Sequence, residues 1–136
     1  MSRHWVWATL LALLPLPSCQ PRQPSFPEPS REILSSPETI LAGGSIYQRH
    51  CAICHGARGH GDGPQSATLE PRPADLRNLR GVRSEAGYWF FRIKEGGKTE
   101  PLARPRSAMP SWGEHLTDEE IWEVVAYLKS LTGERA

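Results

Sequence analysis

Three residues within a stretch of five, Cys51, Cys54 and His55 in the sequence Cys-Ala-Ile-Cys-His, carry side chains that bind metals or form covalent bonds. Two thiols at this spacing serve as a redox dithiol, as half of a zinc site, or as the attachment point of a haem. Each of these uses requires different residues elsewhere in the chain. The remainder of the sequence therefore decides between them.

Comparison of the three uses favours haem attachment. A structural zinc site needs four ligands, yet the 136 residues contain only three cysteines, and no second pair follows Cys54. A thioredoxin-like dithiol is expected beside a βαβ pattern, whereas this motif closes a predicted helix in a loop-rich chain. C-x-x-C-H is the sequence signature of c-type haem attachment. Cys51 and Cys54 are then predicted to form thioether bonds to one haem c.

His55 directly follows the second cysteine and is predicted to be the proximal ligand of the haem iron. A ligating histidine usually donates its other ring N–H to a carbonyl or carboxylate, which fixes the tautomer and the ring orientation. The carbonyl of Pro64 is the predicted acceptor. Gly61 and Gly63 are the alternatives.

The opposite face of the iron is predicted to be occupied by Met109. It is the only methionine that remains once the N-terminal signal predicted below is removed, and it lies in a polar stretch, Arg-Ser-Ala-Met-Pro-Ser-Trp-Gly. A lone methionine often fills a gap in a core, and that alternative stays open. His115 is a further candidate, whereas His50 adjoins the first cysteine on the proximal side and His60 belongs to a glycine-rich loop.

The N-terminal part of the chain predicts export and lipid attachment. Residues 1–18 carry an arginine and then an apolar run from Trp5 to Leu14 without an acidic residue, which is typical of a secretory signal peptide. The run is shorter than the about 20 residues of a spanning helix. Leu16 to Cys19 resembles the lipobox of bacterial lipoproteins, so Cys19 is predicted to be acylated and to anchor the protein to a bacterial membrane from the periplasm. The alternative is an ordinary signal peptide followed by a stray thiol.

The rest of the chain divides into a tether and one domain. Four prolines fall between residues 20 and 29, where apolar residues are scarce, so residues 19–36 are predicted to be a lipid-anchored, semi-extended tether. Residues 37–136 are short enough for a single domain. The chain has 13 prolines and 12 glycines, which indicates that much of this domain is loop.

Capping signals predict an all-α domain with three main helices. Each helix begins at a serine or threonine of the kind that caps a helix N-terminus, and the last two end at glycine. The predicted helices run from Pro37 into Cys51, with Ser36 as the N-cap; from the cap Ser84 to Gly96; and from Thr117, in a capping box with Glu120, to Gly133.

Together these residues resemble the class I cytochromes c, from about Ile40 to Leu131. The likeness rests on Gly43 and Tyr47 before the haem motif, Pro64 after it, the Ala-Met-Pro sequence, and Val-Val-Ala-Tyr-Leu-Lys-Ser in the last helix. It implies an all-α fold with long loops around one covalently bound haem. It further implies that the first and last helices cross at right angles. Their contact is expected to be that of Gly43 and Tyr47 with Val124 and Tyr127.

The distribution of charge bears on the partners. A formal net charge of +1 gives no reason to expect nucleic-acid binding, which usually requires a basic surface. Between Arg72 and Arg106 nine basic residues face four acidic ones, whereas six acidic residues and one lysine lie between Glu114 and Glu134. The basic segment either steers the domain toward an acidic redox partner or pairs with local acids and with haem propionates, for which Arg104 and Arg106 are candidates.

Four functions follow from this sequence. The first is electron transfer by a membrane-tethered periplasmic cytochrome, because methionine ligation raises the potential of the iron and ligation by protein on both faces leaves no place for a substrate. The second is a fixed haem subunit of a respiratory oxidase, reductase or quinol-oxidising complex. The third is an open-site haem protein with peroxidase or gas-binding activity. The fourth is a structural lipoprotein whose two cysteines form a disulfide.

Overall fold

Helices and loops of this protein together line a pocket. The computed structural model describes residues 25–133, apart from the side chain of Val82. Over that range the regular elements are all helical, with no strand, so the predicted all-α fold is confirmed. The α-helices are α1 (Arg31–Ser35), α2 (Pro37–His50), α3 (Ala52–His55), α4 (Ala86–Glu95) and α5 (Asp118–Thr132), and short 3-10 helices cover Ser66–Thr68, Leu76–Asn78 and Gly81–Ser84.

The first and last of the three predicted helices begin where their capping residues indicate. At the start of α2, the Ser36 hydroxyl accepts a hydrogen bond from the backbone N–H of Thr39, at 3.4 Å. At the start of α5, Thr117 and Glu120 exchange hydrogen bonds in the predicted capping box, at 3.2 and 2.8 Å. Both arrangements satisfy N–H groups that have no partner inside the helix.

Helices α2 and α5 pack against each other at small and aromatic residues. A side chain at Gly43 would overlap the backbone carbonyl of Glu123, so the two backbones touch at this position. The rings of Tyr47 and Tyr127 lie 5.1 Å apart, centre to centre, and Val124 is almost fully buried. The predicted contact between these two helices is therefore confirmed, and it places the end of α2 against the core.

Helix α4 starts later than predicted. Its N-cap is Glu85, whose side chain makes no capping hydrogen bond, whereas Ser84 ends the preceding 3-10 helix and donates its hydroxyl to the carbonyl of Gly81. The prediction of Ser84 as the cap is wrong because burial, and not a cap, decides where this helix begins: seven of the ten residues of α4 are buried. The helix ends at Gly96, as predicted.

The folded part of the chain begins closer to the N-terminus than predicted, inside the proline-rich segment. Residues 31–35 form α1. The hydroxyl of its N-cap, Ser30, accepts a hydrogen bond from the N–H of Ile33, and the side chain of Leu34 packs against the core. Ahead of it, the ring of Phe26 lies 5.6 Å from that of Tyr88 and 5.3 Å from that of Phe91. The prediction of extended chain is wrong for this part, because these apolar side chains reach the surface of α4 and α5. The predicted signal peptide and Cys19 lie outside the described residues.

None of the helices in the described part of the chain is long and apolar enough to span a lipid bilayer.

Candidate haem-binding site

One pocket brings together the four residues that the sequence assigns to the haem. Cys51, Cys54 and His55 line it, and so does Met109, although Met109 lies far along the chain. The remaining lining is mostly apolar and comes from the loop after the Cys-x-x-Cys-His motif, from α4 and from α5. Those apolar residues include Leu69, Pro71, Leu76, Leu79, Trp89, Ile93, Val124 and Leu128.

The cysteines and the histidine share a short turn at the end of α2. The N–H of Cys51 donates to the carbonyl of Tyr47, at 2.8 Å, so the first cysteine still continues α2. The N–H of His55 donates to the carbonyl of Cys51, at 2.9 Å, and closes the single turn α3. Neither thiol forms a disulfide within residues 25–133. This turn holds two sulfurs and one imidazole at the wall of the same pocket, which is what attachment of a planar macrocycle requires.

Burial argues against a redox role for the Cys51 thiol. Burial, together with the neighbouring Cys54, raises the pKa of the Cys51 thiol to about 12. Reactive dithiols work in the opposite way, because a lowered pKa supplies the thiolate that attacks a disulfide. Moreover, no group of three or more His, Cys, Asp or Glu side chains among residues 25–133 is arranged to hold a metal ion. The alternatives of a dithiol and of a zinc site are therefore disfavoured.

The carbonyl that faces His55 differs from the predicted one. The Nδ1 atom of His55 lies 3.4 Å from the carbonyl oxygen of Ala74, not of Pro64, Gly61 or Gly63. The loop returns to the motif after a long excursion, which sequence spacing does not reveal. Burial lowers the pKa of His55, and the bond to Ala74 offsets only part of that effect. The ring is thus kept neutral and its other nitrogen is available as a metal ligand.

Met109 is held in the pocket wall by its backbone. The N–H of Gly97 donates to the Met109 carbonyl, at 3.1 Å, and the N–H of Met109 donates to the Ser107 hydroxyl, at 3.2 Å. His50 also lines the pocket, but its ring packs 5.1 Å from that of Trp112. His60 and His115 are absent from the pocket lining among the described residues.

Among the residues that the structure describes, four arginines and no acidic residue line the pocket. Arg104, one of the two predicted partners of the haem propionates, is among them, whereas Arg106 is not. Arg92 was not predicted. It is buried, and its Nε atom has no hydrogen-bond partner within residues 25–133. Because an unpaired buried donor is costly, this atom fits a group with carboxylates, as haem has. The sequence signal is an arginine among the aromatic residues of α4. Arg72 and Arg83 complete the set.

Comparison with known proteins identifies the part of the chain that forms the pocket. The family model described as cytochrome c oxidase, cbb3-type, subunit III matches residues 38–128. These residues span α2, the haem motif, α4 and most of α5. The match therefore includes every element that lines the pocket.

Individual relatives are redox proteins of greater length. The chain is 31% identical over 120 residues to quinohemoprotein alcohol dehydrogenase ADH IIB of Pseudomonas putida, covering 88% of this chain and 15% of that enzyme. A structure of the Kuenenia stuttgartiensis reducing HAO-like protein complex superposes with a TM-score of 0.58 at 29% identity, over 81% of this chain and 51% of that one. Cytochrome cL of Methylophaga aminisulfidivorans gives 0.53 at 25% identity, over 72% and 56%. The chain thus spans about half or less of each relative.

Proposed function

This chain belongs to the family described as cytochrome c oxidase, cbb3-type, subunit III, and from that premise we propose that it transfers electrons as a monohaem cytochrome tethered to the periplasmic face of a bacterial membrane. Membership makes it a class I c-type cytochrome with covalently bound haem c, and electron transfer is the function of such a domain. The iron ligands, the lipid anchor and the periplasmic location are the parts that we propose.

The observation that carries the proposal is the convergence of Cys51, Cys54, His55 and Met109 on one pocket. The cysteines would hold the haem c by thioether bonds. His55, oriented by the carbonyl of Ala74, and Met109 would be the axial ligands. Haem c supplies one-electron chemistry when bound, and methionine ligation favours a high potential. With both axial positions taken by protein, the site would carry electrons and leave no coordination position for peroxide or a gas.

Absorption spectroscopy tests the ligation. The protein, produced in a host with haem-attachment machinery, is expected to show a pyridine haemochrome spectrum of haem c and a mass equal to the processed chain plus one haem. The oxidised protein is expected to show the near-infrared band of methionine bound to ferric iron. Met109→Ala is expected to abolish that band and to lower the reduction potential, because a soft thioether ligand is lost.

The matched control for this substitution is Ala108→Gly, which alters the exposed neighbour and keeps the thioether. It is expected to retain the band. A wild-type protein without the band that binds carbon monoxide readily would instead support the open-site function. A colourless protein from a maturation-competent host would refute the proposal altogether.

Lipid attachment at Cys19 is proposed from the lipobox-like sequence. Because Phe26 and α1 pack on the domain, only the six residues 20–25 separate Cys19 from the folded part, a reach of about 24 Å at full extension. The domain would then stay close to the membrane surface. Metabolic labelling with a radioactive fatty acid, compared between wild type and Cys19→Ala, tests the anchor, and equal labelling of both would refute it.

A fixed subunit of a larger redox complex is the second candidate. Two of the relatives favour it, since one is a solved complex and the other is an enzyme of which this chain covers only 15%. Extraction of the native membrane with mild detergent distinguishes the two candidates. Elution together with stoichiometric partner subunits supports the fixed subunit, and elution as a lone red protein supports the tethered shuttle.

A further inference from the structure

We propose that Arg92 is a positioning residue for Met109: its guanidinium holds the loop that presents the thioether, so that Met109 stays on the iron. The inference rests on the proposed ligation by His55 and Met109. Arg92 lies in the last turn of α4 and its side chain is only 8% exposed. A buried arginine requires partners for its N–H groups, and those partners define what it organises.

The partners of Arg92 are four carbonyls of a single loop. Its Nη1 donates to the carbonyls of Gly96 and Thr99, at 2.9 and 3.1 Å. Its Nη2 donates to the carbonyls of Pro101 and Leu102, at 2.8 and 3.1 Å. Only the planar fork of a guanidinium presents enough donors for this arrangement, and a lysine ammonium has three donors around one point. Residues 96–102 thus surround the Arg92 guanidinium and are held together by it.

The loop conformation needs such support. Leu102 has a φ of +66°, in the left-handed region that residues with a side chain seldom adopt. Conformations of this kind persist where surrounding contacts enforce them. The carbonyl of Leu102 is one of the four that bind Arg92, so the guanidinium is a contact that enforces it.

The same loop is joined directly to Met109. The N–H of Gly97 donates to the Met109 carbonyl, at 3.1 Å, and the Gly97 carbonyl accepts from the N–H of Arg104, at 2.8 Å. A side chain at Gly97 would overlap that of Ser107 and come within 3.2 Å of the Met109 Cβ. With so little space between these segments, a displacement of the loop moves Met109. Loss of the Arg92 contacts is therefore expected to increase the fraction of molecules in which the thioether leaves the iron.

Imidazole binding measures that fraction. Added imidazole coordinates ferric haem only when the protein ligand has left, so its apparent affinity reports the population of the open form. Arg92→Gln removes the fork and is expected to raise the imidazole affinity roughly ten-fold and to weaken the near-infrared band. Arg92→Lys keeps the charge without the fork and is expected to fall between Arg92→Gln and wild type.

Lys98→Gln is the matched control. It removes one positive charge from the same loop, at an exposed side chain, and leaves the four carbonyl contacts in place. It is expected to bind imidazole as wild type does. Every variant is expected to have the mass of its own chain plus one haem, since Cys51 and Cys54 are unchanged.

Repeating the imidazole titration in the Met109→Ala variant distinguishes positioning of Met109 from a general loosening of the pocket. If Arg92 acts through Met109, Arg92→Gln no longer changes the imidazole affinity once Met109 is replaced. An equal increase in both backgrounds would overturn the inference, and so would wild-type affinity in Arg92→Gln or in Arg92→Lys. Failure of the proposed function gives a different result: wild type would already bind imidazole as tightly as Met109→Ala, in the absence of the near-infrared band.

Discussion

At the scale of residues, a buried hydrogen bond connects the haem motif to the core. Tyr47 is fully buried, and its hydroxyl donates to the carbonyl of Gly56, at 2.7 Å, directly after His55. Burial raises the pKa of Tyr47, with smaller contributions from Cys51, Tyr127 and Asp62, so the phenol stays protonated and keeps its role as donor. This bond fixes the end of the Cys-x-x-Cys-His turn to α2.

Replacing Tyr47 by Phe is expected to lower the free energy of unfolding by about 1 kcal/mol, because one buried hydrogen bond is lost. The Gly56 carbonyl still accepts from the N–H of Gly59, at 3.1 Å, so it is not left unpaired. Tyr127→Phe is the control: its hydroxyl makes longer contacts, at 3.3 and 3.5 Å, and a change within about 0.5 kcal/mol is expected. Guanidinium titration of both haem-containing variants measures the difference. Equal losses would contradict this account of Tyr47.

The contact between α2 and α5 decides the architecture at the scale of elements. The two helices approach so closely at Gly43 that no side chain fits between the backbones. One turn further along α2, the Tyr47 ring fills the space beside Tyr127. The haem motif immediately follows α2, so this contact also sets where the cysteines and His55 stand relative to α5.

Gly43→Ala is expected to destabilise the protein by about 3 kcal/mol, because the added methyl group overlaps backbone that cannot turn aside. Gly44→Ala is the matched control. There the methyl group meets only the ring of Tyr127, at 3.1 Å, and the replacement of a helical glycine contributes up to about 1 kcal/mol in its favour. Thermal unfolding followed by circular dichroism compares them. A Gly43→Ala protein as stable as Gly44→Ala would show that the helices separate without cost.

At the scale of the whole molecule, the charged residues around the pocket are unevenly distributed. Within residues 25–133, the four charged residues that line it are all arginines, and the acidic residues near the start of α5 lie outside this lining. Lys94 pairs with Asp118 at 2.7 Å, which neutralises part of the boundary between the basic and acidic regions. The surface through which electrons enter or leave is thus expected to favour an acidic partner.

Two small oxidants of opposite charge measure this field. Oxidation of the reduced protein by the anion hexacyanoferrate(III) is expected to slow with increasing salt, whereas oxidation by the cation tris(phenanthroline)cobalt(III) is expected to accelerate. Arg72→Glu, at an exposed residue of the pocket lining, is expected to slow the first reaction several-fold. Arg58→Glu, also exposed but outside that lining, is the control. Equal effects of both substitutions would indicate that net charge alone matters.

The sequence by itself determined the helices that have strong capping residues and the identity of the haem motif. Both are local: a serine or threonine cap acts within one turn, and Cys-x-x-Cys-His brings its three side chains together within a few residues of backbone. The glycine and aromatic residues of α2 and α5 also indicated their contact, because a glycine in a helix interior needs a packing reason.

Only the tertiary structure decided the features that depend on distant parts of the chain. The partner of His55 is Ala74, nineteen residues away, and Arg92 binds a loop whose path no periodicity describes. The segment around Phe26 and α1 folds because α4 and α5 offer it an apolar surface, although its prolines predicted extended chain. In each case the deciding free energy comes from burial against residues remote in sequence, and local propensity does not contain that information.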